Sequence, residues 1–318
     1  MADELLLVLG LAVLIIAADL LVDGASVVAS RFGISSLTIG LTVVSFGTSL
    51  PELVVSLTSG VQNHPDIAIA NVIGSNIANV LLVLGIAAVI RPLPIHNSTV
   101  VSEIPFMLTA ALLVGFLANA HLFSDQPELS ISQLDGGILL FFFLLFMIYV
   151  YKISASTGTP LLQITSSGKM TRAVASIFLG ALGLYFGGQW VVDGAVGLAQ
   201  DWGIGDALVG LTVVAIGTSA PELVASSVAA YRNKTDIAVG NVVGSNIFNL
   251  LWVLGLTSSI VELPFEVVSN TDLMVVIGSS AMIILALVFS RNNSVNRTHG
   301  VLFVAAYIAY LAYVVQRG

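Results

Sequence analysis

The stretch LTIGLTVVSFGTSLPELVVSLTSGVQNHPDIAIANVIGSNIANVLLVLGI (Leu37–Ile86) returns 170 positions later as ALVGLTVVAIGTSAPELVASSVAAYRNKTDIAVGNVVGSNIFNLLWVLGL (Ala207–Leu256), with 28 of 50 positions identical and no gap. This is an internal duplication. Its two most similar cores are GTSLPE (Gly47–Glu52) against GTSAPE (Gly217–Glu222), and NVIGSNIAN (Asn71–Asn79) against NVVGSNIFN (Asn241–Asn249). The GTSxPE cores place a proline and a glutamate side by side in otherwise apolar sequence, and they do so twice.

Around these cores the chain is 57% hydrophobic and 9% charged, with a mean hydropathy of +1.02; soluble domains carry about 25% charged residues. An integral membrane protein is expected. Apolar runs of membrane-spanning length, roughly 20 residues each, fall near 4–25, 37–60, 67–90, 103–120, 134–151, 172–195, 207–230, 237–260, 271–290 and 299–316. The expected fold is therefore an all-α membrane protein of ten transmembrane helices. Five helices per copy is an odd number, so the second copy enters the membrane from the opposite side and the two repeats are inverted. The first repeat spans residues 1–151, a Ser/Thr/Gly/Pro-rich linker 152–171, and the second repeat 172–318. Inverted repeats with broken helices meeting at the bilayer midplane are a recurrent transporter architecture.

The distribution of charge gives an orientation. With the N-terminus outside, Arg31, Arg91, Lys152, Lys169, Arg172, Arg232, Lys234, Arg291 and Arg297 fall in cytoplasmic connections, and only Arg317 falls outside. That asymmetry follows the positive-inside rule, so both termini are expected on the outer face of a cell membrane. Asp3 and Glu4 stand where a signal peptide would carry basic residues, and the first run is read as a retained helix. The Asn-x-Ser/Thr triplets at Asn97, Asn233, Asn292 and Asn296 fall in cytoplasmic connections, so they are chance matches. There is no cysteine, and the four histidines are scattered, so soft-metal chemistry is disfavoured.

Glu52 and Glu222 lie near the middle of the second and seventh segments, where a charge costs about 2.5–3.5 kcal/mol on insertion scales. No lysine or arginine sits at comparable depth, so a bound cation is the simplest counter-charge. Pro51 and Pro221 cannot donate to the carbonyls of Gly47 and Gly217. Backbone freed in this way is tolerated in a bilayer only inside protein or along a wet cavity. Thr48 and Ser49 share a helical face with Glu52, as Thr218 and Ser219 do with Glu222. In the third and eighth segments Asn71, Ser75 and Asn79 form an i, i+4, i+8 stripe, repeated as Asn241, Ser245 and Asn249. Ser75, Asn79, Ser245 and Asn249 are read as neutral oxygen ligands; Asn71 and Asn241 are read as interhelical hydrogen-bonding residues. Gly40, Gly74, Gly210, Gly240 and Gly244 are assigned to close helix packing. An all-oxygen site of this kind suits Ca²⁺, with its roughly 6–8 oxygen ligands, and it also suits Na⁺.

At these residues the chain resembles the sodium/calcium exchanger family, within the cation/calcium exchanger superfamily, as a minimal prokaryotic-type member with two alpha repeats at about 37–86 and 207–256. The resemblance implies a secondary antiporter exchanging Na⁺ for Ca²⁺ by alternating access. It places Thr48, Ser49, Glu52, Ser75, Asn79, Thr218, Ser219, Glu222, Ser245 and Asn249 on ion-coordinating positions, and adds the backbone at Ser45 and Ala215. It also suggests that the first and sixth helices slide as a gate. Some relatives, including potassium-dependent ones, carry aspartate at the position of Asn249, so potassium coupling is not expected and two formal negative charges remain at the centre. Asp19, Asp23 and Asp193, two of them in the repeated VDGA (Val22–Ala25, Val192–Ala195), are read as polar helix contacts.

Burial disfavours the charged form of a carboxylate, so protons should compete with metal, and a Ca²⁺/H⁺ antiporter using the same glutamates is the alternative. A cation channel would conduct without a counter-ion. A hydrolase would need a nucleophile with its base or a metal motif such as HExxH, and neither is present. No enzyme activity, cofactor, nucleic acid or obligatory protein partner is expected; the partners are Ca²⁺, Na⁺, H⁺ in the alternative reading, and the lipid bilayer.

Overall fold

A computed structural model describes residues 2–62, 64–95, 99, 102–120, 129–156, 167–201, 215–290 and 293–317. Helices account for nearly all of it. They are α1 (Ala2–Phe32), α2 (Ser36–Thr48), α3 (Leu50–Val61), α4 (Pro65–Ile90), α5 (Glu103–Ala118), α6 (Gln133–Ser156), α7 (Ser167–Asp201), α8 (Ala215–Thr218), α9 (Ala220–Tyr231), α10 (Thr235–Ile260), α11 (Val267–Val288) and α12 (Arg297–Arg317). Seven of these are long and apolar enough to cross a membrane, and eight if the bent pair α2–α3 counts as one span.

Local chemistry sets the boundaries. Gly33, at φ 64°, ends α1 in the left-handed conformation glycine tolerates. The Ser35 hydroxyl then caps α2, accepting from the Thr38 amide at 3.0 Å. Pro65 opens α4, where its missing amide hydrogen costs nothing.

Burial separates the helices into two populations. The apolar windows of α4 and α10 are 72% and 94% buried within the protein, against 22–39% for α1, α6, α7, α11 and α12. The helices bearing the repeated GSN motif are therefore the core, and the others spend apolar surface on the surroundings, as a bilayer allows. Around Asn249, Phe248 and Trp252 pack with Phe46 and Phe143 at ring separations of 4.9–6.3 Å.

Small residues allow the close crossings. A Cβ on Gly240 would stand 2.6 Å from the Leu37 carbonyl oxygen, and one on Gly40 would stand 2.9 Å from that of Ile237, so α2 and α10 touch backbone to backbone. Gly244 is equally confined, against Leu41 and Ser45. Gly74 is different: a Cβ there would meet nothing within 4 Å, so the expected packing role is corrected, because open space adjoins it. Gly210 lies outside the described residues. Along α1 and α7, Gly10 meets Gly187 and Val191 while Gly24 meets Ala173 and Ile177, an antiparallel pairing.

Two short antiparallel ladders tie the helix ends together. Leu93–Pro94 (β1) pairs with Ser294–Val295 (β4), and Ser130–Ile131 (β2) with Leu263–Pro264 (β3). β1 and β3 are 170 positions apart, the spacing of the duplication, and each pairs with a strand of the other half of the chain. We expect Gly240→Ala to cost about 2 kcal/mol, as overpacking does, and Gly74→Ala to be neutral or stabilising by up to about 1 kcal/mol. Thermal unfolding in detergent checks this; equal shifts for the two variants would contradict the crossing described.

Candidate ion-binding site

The two GTSxPE cores do more than kink a helix. At Ser49 (φ −84°, ψ 5°) the backbone leaves the helical region, and α2 and α3 meet at a 45° bend. Ser219 adopts the same geometry between α8 and α9 (φ −86°, ψ 5°). Pro51 and Pro221 stand at the start of the following helix, where proline is well tolerated. Each glutamate consequently sits in the first turn of a half-helix, near the positive end of its dipole, and close to the carbonyl end of the half-helix before it. Helix ends of this kind, not a continuous kinked helix, frame the site.

α4 and α10 contribute a second duplicated irregularity. Their helices widen to π-helical turns over Asn79–Leu84 and Phe248–Val253, starting at or beside the repeated asparagine. Such turns frequently mark functional positions. The half-helix carrying Glu222 packs on the Asn79 turn as well as on α10, and the one carrying Glu52 packs on the Asn249 turn as well as on α4. Each carboxylate is thus flanked by both core helices.

Hydrogen bonds cross between the repeats here. The Ser49 hydroxyl donates to Glu222 Oε1 at 3.3 Å. Thr48 Oγ1 donates to Asn241 Oδ1 at 3.1 Å and lies 3.3 Å from Ser245 Oγ. The Ser45 hydroxyl donates to the Asn241 carbonyl at 3.0 Å. Glu52 lies within electrostatic reach of Glu222 and beside Ser75. Both glutamates are fully buried, and among the described residues no ion pair reaches either of them.

What is left unpaired is more telling. Both carboxylate oxygens of Glu52, Glu222 Oε2, the hydroxyls of Ser75 and Ser219, and the amide groups of Asn79 and Asn249 are buried with no hydrogen-bond partner in the protein. Buried polar groups are otherwise almost always satisfied, and each orphan costs about 1–3 kcal/mol, more when charged. Six orphaned side chains, three from each repeat and with Glu52/Glu222 and Asn79/Asn249 as repeat-related pairs, give this region an oxygen-rich donor set of the chemistry a hard cation takes. Among the described residues no group of three or more His, Cys, Asp or Glu exists, so the set relies on two carboxylates and neutral oxygens.

Asn71 and Asn241 are hydrogen-bonding residues, as expected. Asn71 Nδ2 donates to Ser56 Oγ at 2.9 Å and to the Glu52 carbonyl at 3.2 Å; Asn241 Nδ2 donates to Ser226 Oγ at 2.9 Å. Asn241 Oδ1 also accepts from the Thr48 hydroxyl, whose one proton it shares with the Ser45 carbonyl. The Ser45 carbonyl already accepts from the Ser49 amide at 2.9 Å and from the Thr48 hydroxyl at 3.3 Å in this conformation. Ala215 opens α8. Thr218 is buried beside Ser219.

Sequence reasoning overlooked Asn76 and Asn246, which are fully buried and carry unpartnered Oδ1 atoms. The Asn246 amide reaches the Asn76 carbonyl at 3.4 Å, bridging the two GSN motifs. Their identity in both copies was the available signal. Asp19 and Asp23 are polar contacts as expected: Arg232 pairs with both, and Lys234 with Asp23 at 2.6 Å.

The chain matches the family described as sodium/calcium exchanger protein over residues 4–152 and 172–316. It belongs to the sodium/calcium exchanger family. It is 36% identical over 316 residues to the inner membrane protein YrbG of Escherichia coli, covering 96% of this chain and 95% of that one. It is 31% identical over 342 residues to the sodium/calcium exchanger MaX1 of Methanosarcina acetivorans, covering 96% and 97%. A solved structure of the sodium-calcium exchanger NCX_Mj, soaked with 10 mM Na⁺ and 10 mM Sr²⁺, aligns with a TM-score of 0.81 at 33% identity over 98% of both chains. A multi-pass membrane transporter of this fold is the result.

Two buried carboxylates without counter-charge should destabilise the ion-free protein and be relieved by a bound cation. In Na⁺-free detergent solution, Glu222→Gln should therefore raise the Tm by a few degrees, while the rise produced by millimolar Ca²⁺, expected from ligand linkage, disappears. A variant that keeps the full Ca²⁺-induced rise would show that Glu222 does not bind the ion.

Proposed function

We propose that the protein is a secondary antiporter that exchanges Na⁺ for Ca²⁺ at a single central site. Its ligands are Glu52 and Glu222, the hydroxyl-bearing Thr48, Ser49, Thr218, Ser219, Ser75 and Ser245, the amides of Asn79 and Asn249, and the backbone at Ser45 and Ala215. The observation that carries this reading is the set of orphaned buried oxygens, contributed by both repeats, that includes two carboxylates with no counter-charge among the described residues. Membership of the exchanger family supports the same reading.

The architecture we propose is ten transmembrane helices in two inverted five-helix repeats, 1–151 and 172–318, joined by the linker 152–171, with both termini outside. Several features support it. The irregular backbone is repeated at 170-residue spacing, with Ser49 matching Ser219. β1 and β4 both lie in connections that this topology puts on the cytoplasmic face, and β2 and β3 both lie in outer ones. The antiparallel run of α1 and α7 also fits.

The electrostatics favour exchange over free conduction. With two bare carboxylates, closing water away from the empty cage is costly, since charge in a low-dielectric interior is strongly penalised. Ca²⁺ cancels both charges at once, and Na⁺ ions can do so severally. The loaded cage closes and can reopen to the other side, whereas the empty one resists. Asn249 in place of an acid keeps the central formal charge at two, which suits one Ca²⁺ without K⁺. Protons can cancel the same charges, and they define the competing coupling.

Proteoliposomes preloaded with Na⁺ and diluted into Na⁺-free medium should take up Ca²⁺, and Glu52→Gln should abolish the uptake. Uptake driven by a pH gradient alone would move the protein to proton coupling, and uptake without any counter-ion would make it a channel.

A further inference from the structure

Arg232, Asn233 and Lys234 make the tight turn between α9 and α10, and its backbone is well fixed. The amides of Arg232, Asn233 and Lys234 donate to the carbonyls of Val228, Ala230 and Ala229 at 2.9, 3.2 and 2.8 Å. Asn233 holds φ at 62°, and its side chain accepts from Arg91. The two cations therefore stand on a rigid bracket of the core. Opposite them, Asp19 and Asp23 lie four residues apart on one face of α1. Arg232 pairs with Asp19, and with Asp23 at 2.7 Å, while Lys234 pairs with Asp23 at 2.6 Å. α1 in turn packs along the whole of α7 with glycines against backbone, so the two behave as one unit.

The duplication shows what this cluster lacks elsewhere. At 170-residue spacing Asp23 corresponds to Asp193 and Asp19 to Gln189, while Arg232 corresponds to Gln62 and Lys234 to His64. In the structure Gln189 Nε2 bonds to Tyr185 of its own helix at 2.8 Å, and Asp193 is exposed. The acid is repeated, but Arg232 and Lys234 have only Gln62 and His64 as counterparts. An inverted repeat puts the two sets on opposite faces, so among the described residues the tie exists on one face only.

We infer that Asp19, Asp23, Arg232 and Lys234 form an ionic latch that holds the α1/α7 unit against the core on the face of the α9–α10 turn, making the state sealed on that face the favoured one. The inference rests on the alternating-access reading above, and its test reads the gate without requiring transport. Pairs of this partly exposed kind are individually weak, but three acting on one equilibrium shift it by about tenfold.

The chain has no cysteine, so an introduced thiol is the only one. Val22, fully buried beside the latch on α1, is replaced in Val22→Cys, and a charged, membrane-impermeant thiol reagent is applied from the latch face in Na⁺- and Ca²⁺-free buffer. Labelling should be slow in Val22→Cys alone and about tenfold faster with Asp19→Asn and Asp23→Asn added. It should be slow again when the charges are exchanged through Asp19→Lys, Asp23→Lys, Arg232→Asp and Lys234→Asp. Raising choline chloride from about 0.01 M to 1 M, which shortens the Debye length from about 30 to 3 Å, should speed labelling of Val22→Cys but not of the neutralised variant. The latch is overturned if neutralisation leaves the rate unchanged, if the exchanged charges label as fast as the neutralised ones, or if salt has no effect. A failed Ca²⁺ flux with these labelling results intact would instead count against the exchange reading.

Discussion

A carboxylate cannot be left bare in a low-dielectric interior, and most of this molecule's construction follows from having two. Glu52 and Glu222 are fully buried and lack a basic partner among the described residues. Desolvating an unpaired ion costs several kcal/mol. The surroundings soften that cost in part: helix N-termini lie behind each glutamate, and hydroxyls of Thr48, Ser49 and Ser245 gather near Glu222. In the proposed reading the remainder is supplied by the cargo. On that proposal, a site incomplete without its ion also couples occupancy to closure.

Placing such a site uses two kinds of departure from regular helix that occur in both repeats, beside a further π-helical stretch over Gly40–Val44 in α2. The Ser49 and Ser219 breaks bring helix ends together at the glutamates, and the π-helical turns at Asn79 and Asn249 widen the facing helices. The π-helical turns at Asn79 and Asn249 are tolerated because α4 and α10 are the most deeply buried of the seven described spans. The Gly40–Gly240 crossing then locks α2 to α10 closely enough for Thr48 to bond Asn241 across the repeat boundary. Packing and chemistry are in this sense the same feature: the contact that buries the helices also orients a hydroxyl of the site.

The all-helical membrane fold and the residue types of the candidate site were legible in the sequence because both leave strong marks. Ten apolar runs, a gapless duplication and two acids at membrane depth are properties of single segments and their spacing. What was not legible depends on how segments meet. Proline predicts disturbed helix but does not distinguish a kink from the break at Ser49, which is set by what packs on either side. No composition rule announces a π-helical turn. Asn76 and Asn246 looked like ordinary polar neighbours of Ser75 and Ser245, and only the crossing of α4 and α10 reveals their contact. Gly74 resembles its packed counterparts in sequence and differs from them only in having open space beside it. The partners of Asp19 and Asp23 lie more than 200 residues away, beyond the reach of periodicity.

The central claim is that both glutamates share one ion. A structure of the protein soaked with Sr²⁺ in Na⁺-free buffer, with the ion located by its anomalous scattering, tests it most directly. The account predicts a single strong peak within about 2.3–2.7 Å of carboxylate oxygens of both Glu52 and Glu222, at or slightly beyond the distances of hard-cation coordination. A peak that contacts one glutamate alone, or that lies away from both, would contradict it.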